Sequence, residues 1–178
     1  MFIIREIQEC DAEQFLALSK QLDSETKFML LEPGERRTTL PQQQEKIRSI
    51  LSQKNSTFLV AETNGQLIGY IAGLGGSYNR NRHKADVVIG ILLDYVGKGL
   101  GSRLFSELEL WARNCRVHKL ELTVMAHNDR AINLYKKSGF VVEGISVDSL
   151  LVDGSYVDEL DMAKFLGPSD RSSHQTGY

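Results

Sequence analysis

The chain has 178 residues, of which 42% are hydrophobic and 25% are charged, and its formal net charge is -2 at pH 7. This length and composition predict one compact, soluble domain, and no apolar run approaches the roughly 20 residues that span a bilayer. The small negative charge provides no basic excess to neutralise a nucleic-acid backbone. We therefore expect neither a nucleic acid nor a membrane as a partner.

Two further features bear on metal binding and on compartment. Cys10 and Cys115 are far apart, and no second ligand cluster lies near either of them, which argues against a disulfide framework and against a zinc site. The start of the chain has no basic segment followed by a long apolar stretch, so it does not resemble a secretory signal. The sequence thus predicts a cytoplasmic protein without a metal site.

The first 51 residues predict a strand, a helix, a loop and a second helix. Residues 2–7 are apolar and β-branched, and Asp11 can cap a helix that runs to about Leu22. Pro41 suits the first turn of the second helix. Between the helices, residues 24–39 mix apolar residues with proline, glycine and charges. We expect them to form a partly mobile loop that can close over a ligand.

The middle of the chain predicts the centre of a sheet. Two apolar runs flank Asn64-Gly65, a dipeptide that favours a tight antiparallel hairpin. Residues 85–94 form an almost continuous apolar run, which is typical of a central strand covered on both faces. Apolar residues then recur at helical spacing over residues 100–115, and residues 119–125 alternate as a strand does. Strand, helix and strand are expected to form one crossover unit.

The last third of the chain predicts a short helix, two strands and a tail. Residues 128–139 have the helical pattern, and strand character resumes on both sides of Asp153-Gly154. Residues 166–178 contain almost nothing that can be buried. We therefore expect one domain over residues 1–165 and a flexible tail after it.

Three glycines at alternate positions occupy the loop between the central strand and the next helix. A helix start exposes unpaired amide groups at the positive end of the helix dipole, where anions bind readily. Gly97, Gly99 and Gly101 carry no side chain that would keep a diphosphate from those amides. Ser102 adds a hydroxyl donor, and Lys98 adds positive charge. The loop is therefore predicted to hold a phosphate group.

The spacing of the glycines distinguishes this loop from two better-known phosphate loops. A nucleotide-hydrolase loop ends in Lys-Ser or Lys-Thr, and no such pair closes this one. The dinucleotide fingerprint spaces its glycines G-x-G-x-x-G, whereas here they run G-x-G-x-G. A glycine-rich turn that only lets the strand and the helix pack tightly stays open from the loop alone.

A second motif, about 30 residues further on, adds independent information. Together, VVIGILLDYVGKGLGSRLF and NDRAINLYKKSGF closely resemble the GNAT superfamily of acyl-CoA-dependent N-acyltransferases. The first is similar to the family's acyl-CoA motif, Q/R-x-x-G-x-G/A, and the second to its N-x-x-A-x-x-L-Y-x-x-x-G-F segment. The resemblance follows the element order from about Phe2 to Phe165, and its specific part runs from Asp86 to Phe140. Val96 stands where the family carries Gln or Arg.

The resemblance implies a fold. It is an α/β (α+β) GNAT fold with a mixed, mostly antiparallel central sheet of about six to seven strands flanked by helices. Two central strands, one ending near Leu93 and the other beginning near Lys119, splay apart and admit the pantetheine arm of the cofactor. Gly90 marks either a bulge that forces the splay or a close packing contact.

The implied cofactor, used as a co-substrate, is acetyl-CoA. The candidate cofactor-binding residues are Leu92, Leu93, Val96, Gly97, Lys98, Gly99, Leu100, Gly101, Ser102, Asn128 and Tyr135. Asn128 either bonds the pantetheine or only caps its helix. Because backbone amides hold most of the diphosphate, Val96 is expected to weaken binding rather than abolish it.

The implied reaction is direct attack of a neutral amine on the acetyl thioester, which needs a base for the amine and an acid for the sulfur. Tyr135 matches the family tyrosine near the sulfur and is the candidate acid; the alternative is a buried core tyrosine. No motif selects the base. The candidates are Glu62, Asp86, Glu121 and His83. Of these, Glu62 is retained with Tyr135 as a predicted catalytic residue. An amide of Leu92 or Leu93 can bond the carbonyl oxygen.

The charges of the loop at residues 24–39 can act in two ways. The acidic residues are Glu25, Glu32 and Glu35, and the cations are Lys27, Arg36 and Arg37. The acidic residues either attract a cationic amine or balance the neighbouring cations, and the sequence favours balance.

The predicted function is transfer of an acetyl group from acetyl-CoA to a primary amine of a small molecule or a protein, in a ternary complex. A non-catalytic acyl-CoA-binding sensor or interaction module is the alternative, which Val96 favours and Tyr135 disfavours. A general anion-binding domain is a third possibility. The partners expected are acetyl-CoA and an amine, and a homodimer is left open.

Overall fold

Seven strands form one mixed sheet in the structure, a computed structural model that describes residues 1–167. In chain order they are β1 Ile3–Glu6, β2 Thr57–Thr63, β3 Gln66–Gly75, β4 Lys84–Ile91, β5 Lys119–Met125, β6 Val141–Val152 and β7 Ser155–Phe165. Their order across the sheet is β1-β2-β3-β4-β5-β7-β6. Every neighbouring pair is antiparallel except β4 and β5. The predicted mixed, mostly antiparallel sheet is confirmed.

In the described part of the chain, four α-helices cover the sheet. They are α1 Ala12–Glu25, α2 Leu40–Leu51, α3 Leu100–Asn114 and α4 Asp129–Lys137. Side chains of α1 and α2 share one apolar cluster with Val60 of β2, whereas side chains of α3 and α4 share another with Ala61. Successive residues of a strand point to opposite faces, so the two helix pairs lie on opposite sides of the sheet. No helix within residues 1–167 has the length and hydropathy needed to cross a membrane.

The turn between β2 and β3 has the conformation that its sequence predicts. Asn64 has a φ of 49° and Gly65 a φ of 77°, so both central residues of this two-residue turn are left-handed. This backbone matches the twist of a hairpin, which is why Asn-Gly is favoured there. The predicted antiparallel pairing of β2 with β3 is confirmed.

Asp11 precedes α1 as predicted, but its carboxylate does not cap that helix. It accepts hydrogen bonds from Arg5 Nη1 at 2.7 Å, from Arg5 Nη2 at 2.9 Å and from the Gln8 amide at 2.7 Å. The hydrogen bonds from Arg5 lower the pKa of Asp11 below its usual value, although burial opposes the shift. The carboxylate therefore ties β1 to the start of α1 instead of capping it.

The apolar run of β4 is not covered on both faces. Val87 is buried, whereas Val88 is 42% exposed and Asp86 is exposed beside it. Helix α1 packs closely on the later part of β4 at Gly90, where an added Cβ would lie 2.7 Å from Leu22 Cδ1. The prediction of a doubly covered strand is wrong because α1 leaves the first part of β4 open on its side.

Gly90 marks a packing contact and not a bulge. The pairing of β3 with β4 runs without a shift past this residue, from Gly69 opposite Ile91 onward. An added Cβ at Gly90 would lie 2.7 Å from Tyr70 Cε1 as well as 2.7 Å from Leu22 Cδ1. Only a residue without a side chain fits between β4 and α1 at this point.

The ordered chain extends beyond the predicted domain boundary at residue 165. Leu166, which the sequence assigns to the flexible tail, is buried. Its amide donates a hydrogen bond to His118 O at 2.9 Å, and Arg113 Nη1 donates one to its carbonyl at 2.8 Å. The rest of the predicted tail, residues 168–178, lies outside the described residues.

Candidate active site

β4 and β5 separate after three paired positions. Their parallel pairing runs from Lys84 opposite Lys119 to Asp86 opposite Glu121 and then stops. β4 continues for five more residues and β5 for four. Within residues 1–167, the facing edges of the two strands have no strand partner beyond that point, so their backbone groups can bond an extended ligand that carries amides. The predicted splay is confirmed.

The loop after β4 has the backbone geometry of an anion site. Gly97 has a φ of 77° and Gly99 a φ of 81°, a left-handed conformation that favours glycine. An added Cβ at either position would meet nothing within 4 Å, so the loop is open to a ligand there. Gly99 is the N-cap of α3. In the described part of the chain, the amides of residues 97–102 have no hydrogen-bond acceptor, which leaves them available for an anion.

Gly101 has a packing role in addition to the predicted one. It is buried in the first turn of α3, and an added Cβ would lie 2.7 Å from Leu134 Cδ2 of α4. Its missing side chain therefore lets α3 approach α4 closely. The tight-packing role left open by the sequence applies to Gly101, whereas Gly97 and Gly99 have the open geometry that an anion site requires.

The two cationic side chains near this loop have no carboxylate partner among residues 1–167. Lys98 Nζ lies 5.4 Å from the centre of the Tyr95 ring, and the Arg103 guanidinium carbon lies 4.6 Å from that of Phe2. Val96 contributes no donor, because its amide already donates to Leu93 O at 3.2 Å. The positive charge of the loop is thus free to attract a phosphate group.

The end of β4 provides one exchangeable amide. The Leu92 amide donates to Ile68 O at 3.0 Å and so belongs to the sheet. The Leu93 amide donates to Glu25 Oε2 at 2.8 Å. Of the two predicted donors for a carbonyl oxygen, only Leu93 is bonded to a side chain that a ligand can replace.

Tyr135 has a buried ring and an accessible hydroxyl. The ring packs edge-on against Phe105, with centroids 5.6 Å apart, and lies 6.2 Å from Phe140. The hydroxyl has no hydrogen-bond partner within residues 1–167. Among the side-chain polar atoms of those residues, Gln43 Nε2 is the single one that is both fully enclosed and without a partner. The Tyr135 oxygen therefore reaches accessible space. Burial raises the pKa of Tyr135 to about 12, so its phenol keeps its proton at neutral pH.

Asn128 caps α4. Its side-chain oxygen accepts a hydrogen bond from the Ala131 amide at 3.2 Å. The capping role that the sequence offers is therefore present, and the side-chain amide nitrogen has no partner in the described residues. A bond from that nitrogen to a cofactor stays a prediction.

Glu62 is not brought together with Tyr135. It lies on β2, and β3 separates β2 from β4. Its carboxylate accepts a hydrogen bond from Arg5 Nε at 3.0 Å, on the same guanidinium that binds Asp11. The geometry therefore does not support the sequence-based choice of Glu62 as the base, because a long-range ion pair occupies it away from the splay.

The other three base candidates lie toward the closed end of β4 and β5. His83 precedes β4 and is about 26 Å of extended chain from Ile91. Asp86 and Glu121 form the last paired position before the strands separate. Although burial opposes the shift, hydrogen bonds from Lys119 and Lys84 lower the pKa of Glu121. None of the three is beside Leu93, which follows β4 by two residues.

A cavity of about 480 Å³ that the sequence did not predict opens beside the strand end. It lies between the end of α1, the following loop, the end of β5 and the turn between β6 and β7. Its apolar lining consists of Met29, Leu30, Leu31, Pro33, Met125, Leu150, Leu151 and Val152. Its charged lining consists of Asp23, Glu25, Lys27, Glu32 and Asp153. The only sequence signal for it was the mixture of apolar and charged residues in the loop at 24–39.

The acidic residues of that loop do not balance its cations. Arg36 Nε donates to Asp23 Oδ2 at 2.7 Å, and Lys27 donates to Asp153. Both acceptors lie outside the loop. Within the residues that the structure describes, Glu25, Glu32 and Glu35 form no ion pair with a cation. The sequence-based preference for charge balance is therefore wrong.

The splayed parallel pair in a mixed sheet and the open glycine loop at a helix start are the arrangement that the resemblance to the GNAT superfamily implies for binding coenzyme A. Residues 20–140 match the family described as the Acetyltransferase (GNAT) family. The chain belongs to the GNAT family of acetyltransferases.

Individual relatives agree with this assignment. The chain is 36% identical over 107 residues to the L-amino acid N-acetyltransferase AaaT of Escherichia coli (strain K12). The aligned segment covers 60% of this chain and 66% of that relative. Hence the chain spans about two thirds of the length of that curated protein. The acetyltransferase of GNAT family from Streptococcus pneumoniae has a TM-score of 0.90 at 30% identity, covering 94% of this chain and 100% of that one.

A further solved structure shares the fold. It is yncA from Salmonella typhimurium, solved with its cofactor acetyl-CoA. The TM-score is 0.84 at 21% identity, over 97% of this chain and 98% of that one. At this identity the likeness concerns the fold alone.

Proposed function

We propose that the protein is an N-acetyltransferase that transfers the acetyl group of acetyl-CoA to a primary amine. The observation that carries the proposal is the position of the splay between β4 and β5 directly before the open amides of residues 97–102. A ligand with a diphosphate at one end and an extended, amide-containing arm fits both features at once. Family membership supports acetyl-CoA as that ligand. We assign the activity to one domain formed by residues 1–167.

Different residues of the chain would bind different parts of acetyl-CoA. The amides of residues 97–102 would hold the diphosphate, with Lys98 and Ser102 adding a charge and a hydroxyl. The unpaired edge of β4 would bond the pantetheine amides, and the Leu93 amide would bond the carbonyl oxygen of the thioester. The Tyr135 hydroxyl would donate a proton to the departing sulfur. Acetyl-CoA itself supplies the activated acetyl group.

The cavity of about 480 Å³ is the proposed acceptor site. Its volume is typical of a site for a small molecule, and it adjoins Glu25, which contacts the end of β4. The Escherichia coli relative is named for L-amino acids. The α-amino group of an amino acid is therefore one acceptor to test first, beside other small primary amines with apolar bodies.

Incubation with acetyl-CoA and a panel of primary amines should release free coenzyme A thiol at a rate that depends on the amine. A thiol reagent reports that release, and calorimetry reports the binding of acetyl-CoA. No detectable binding at millimolar acetyl-CoA rejects the proposal. Binding without thiol release for any amine favours the non-catalytic sensor. Equal competition by pyrophosphate and by coenzyme A favours a general anion-binding domain.

A further inference from the structure

We propose that Glu25 is the catalytic residue that takes the proton from the ammonium group of the acceptor. This inference rests on the proposed acetyl transfer and goes beyond it, because none of the four base candidates offered by the sequence lies at the strand end. The Glu25 carboxylate is already there, with its Oε2 bonded to the Leu93 amide at 2.8 Å.

Two contacts from different elements orient this carboxylate. Glu25 is the last residue of α1, and Gln21, one turn earlier on the same helix, donates its Nε2 to Glu25 Oε1 at 2.6 Å. The Leu93 amide holds the other oxygen. No cation in the described residues pairs with Glu25. The two hydrogen bonds therefore orient the carboxylate at the strand end, without a cation beside it that would compete with an ammonium group.

The bond to Leu93 indicates what happens when the thioester arrives. The Leu93 amide is the exchangeable donor at this strand end, so the thioester carbonyl oxygen would replace Glu25 Oε2 on it. Glu25 Oε1 stays bonded to Gln21 during this exchange, which keeps the side chain in place. The released oxygen then lies beside the carbonyl carbon that the amine must attack, and there it meets the incoming ammonium group.

The surroundings of Glu25 define the class of amine. The other charged groups lining the same cavity are Asp23, Lys27, Glu32 and Asp153. Arg36 binds Asp23, and Lys27 binds Asp153, so these charges are largely compensated. Glu25 and Glu32 stay without a cationic partner within residues 1–167 and attract an ammonium group. Eight apolar residues, together with Ser24 and Thr26, line the remaining wall. The substrate class is a primary amine that is protonated at neutral pH and carries an apolar substituent.

The reaction balances with Glu25 as the proton acceptor. Glu25 removes one proton from the ammonium group, and the neutral nitrogen attacks the carbonyl carbon to form the C–N bond. The C–S bond breaks, and the Tyr135 hydroxyl donates its proton to the sulfur. The second nitrogen proton restores the Tyr135 hydroxyl, and Glu25 passes its proton to water. The products are the N-acetylated amine, coenzyme A thiol and one proton.

Glu25→Gln tests this assignment, because glutamine keeps the size of the side chain and an oxygen that can accept from the Leu93 amide but cannot take the proton. With an amine that is an ammonium ion at the assay pH, we expect kcat to fall about 100-fold, in the range of general-base effects. With a weakly basic amine of similar shape that is already neutral at that pH, kcat should change little. Calorimetric affinity for acetyl-CoA should be unchanged or higher, since the variant holds the Leu93 amide no more tightly.

Three further variants separate proton transfer from charge and shape. Glu25→Asp should recover part of the lost kcat with the ammonium substrate, because it retains a carboxylate. Glu32→Gln should raise KM for that substrate without abolishing its turnover. Glu13→Gln makes the same change on the same helix, about 18 Å from Glu25 by helix rise. It should leave kcat unchanged with both amines.

The outcomes distinguish the two proposals. An equal loss of kcat with both amines in Glu25→Gln, or no loss with either, would overturn the role of Glu25 while the acetyltransferase stands. If the unaltered protein binds no acetyl-CoA, or releases no thiol with any amine, both proposals fail.

Discussion

Replacing Tyr135 with phenylalanine should lower turnover about 100-fold, because a general acid contributes at least two orders of magnitude in most enzymes. The affinity for acetyl-CoA should stay nearly unchanged. Phenylalanine keeps the ring that packs against Phe105 and Phe140. The hydroxyl that it removes has no partner among the described residues, so folding should be little affected. Steady-state kinetics and calorimetry measure the two quantities.

The pH dependence of this step follows from the raised pKa. Burial raises the pKa of Tyr135 from 10.0 to about 12, so the protonated form is favoured across neutral pH and is lost only as the pH rises toward that value. Turnover should therefore show no loss from Tyr135 near neutral pH. Tyr78→Phe is the control, because the Tyr78 side chain is exposed in the loop between β3 and β4, at the end where β4 and β5 are still paired. Full turnover in Tyr135→Phe would remove Tyr135 from the mechanism.

Gly99→Ala should weaken acetyl-CoA binding about tenfold. An L-residue at a φ of 81° is strained by about 1–2 kcal/mol, so the free loop of the variant should relax to another conformation. Binding must then restore the strained backbone, and 1.4 kcal/mol corresponds to about a tenfold change in affinity. The added Cβ itself meets nothing within 4 Å, which leaves the backbone as the cause. Calorimetry measures the change.

Gly65→Ala is the control for that experiment. Gly65 has a φ of 77°, and an added Cβ there also meets nothing within 4 Å. It lies in the hairpin between β2 and β3. Its replacement should lower the free energy of unfolding by the same backbone strain, about 1–2 kcal/mol, without changing the affinity for acetyl-CoA. Equal affinities in the two variants would show that the backbone of the glycine loop does not hold the cofactor.

Local features of the fold could be predicted where the sequence alone determines the backbone. Asn64-Gly65 is one such case, because left-handed residues at both positions specify the turn. The exposure of Val88 could not be predicted, since it depends on how far α1 extends over β4. Leu166 was misassigned for a similar reason: the partners that tie it down, Arg113 and His118, are distant in sequence.

In the candidate site, too, local backbone features could be predicted from the sequence, whereas tertiary contacts could not. Gly97, Gly99 and Gly101 have equal spacing, yet only the first two are open, because Leu134 of α4 packs on the third. No local motif marks Glu25 as the base, since its partner Leu93 lies 68 residues later. Motifs identify residues that act through local backbone, whereas a carboxylate positioned by tertiary contact needs the structure. The cytoplasmic location stays a prediction, and the homodimer stays open.

A crystal structure with acetyl-CoA tests the central claim most directly. We expect the diphosphate oxygens within hydrogen-bond distance of the amides of residues 97–102 and the sulfur beside the Tyr135 hydroxyl. The acetyl oxygen should accept the hydrogen bond of the Leu93 amide in place of Glu25 Oε2. A diphosphate bound elsewhere on the protein, or a Tyr135 hydroxyl turned away from the sulfur, would contradict the account.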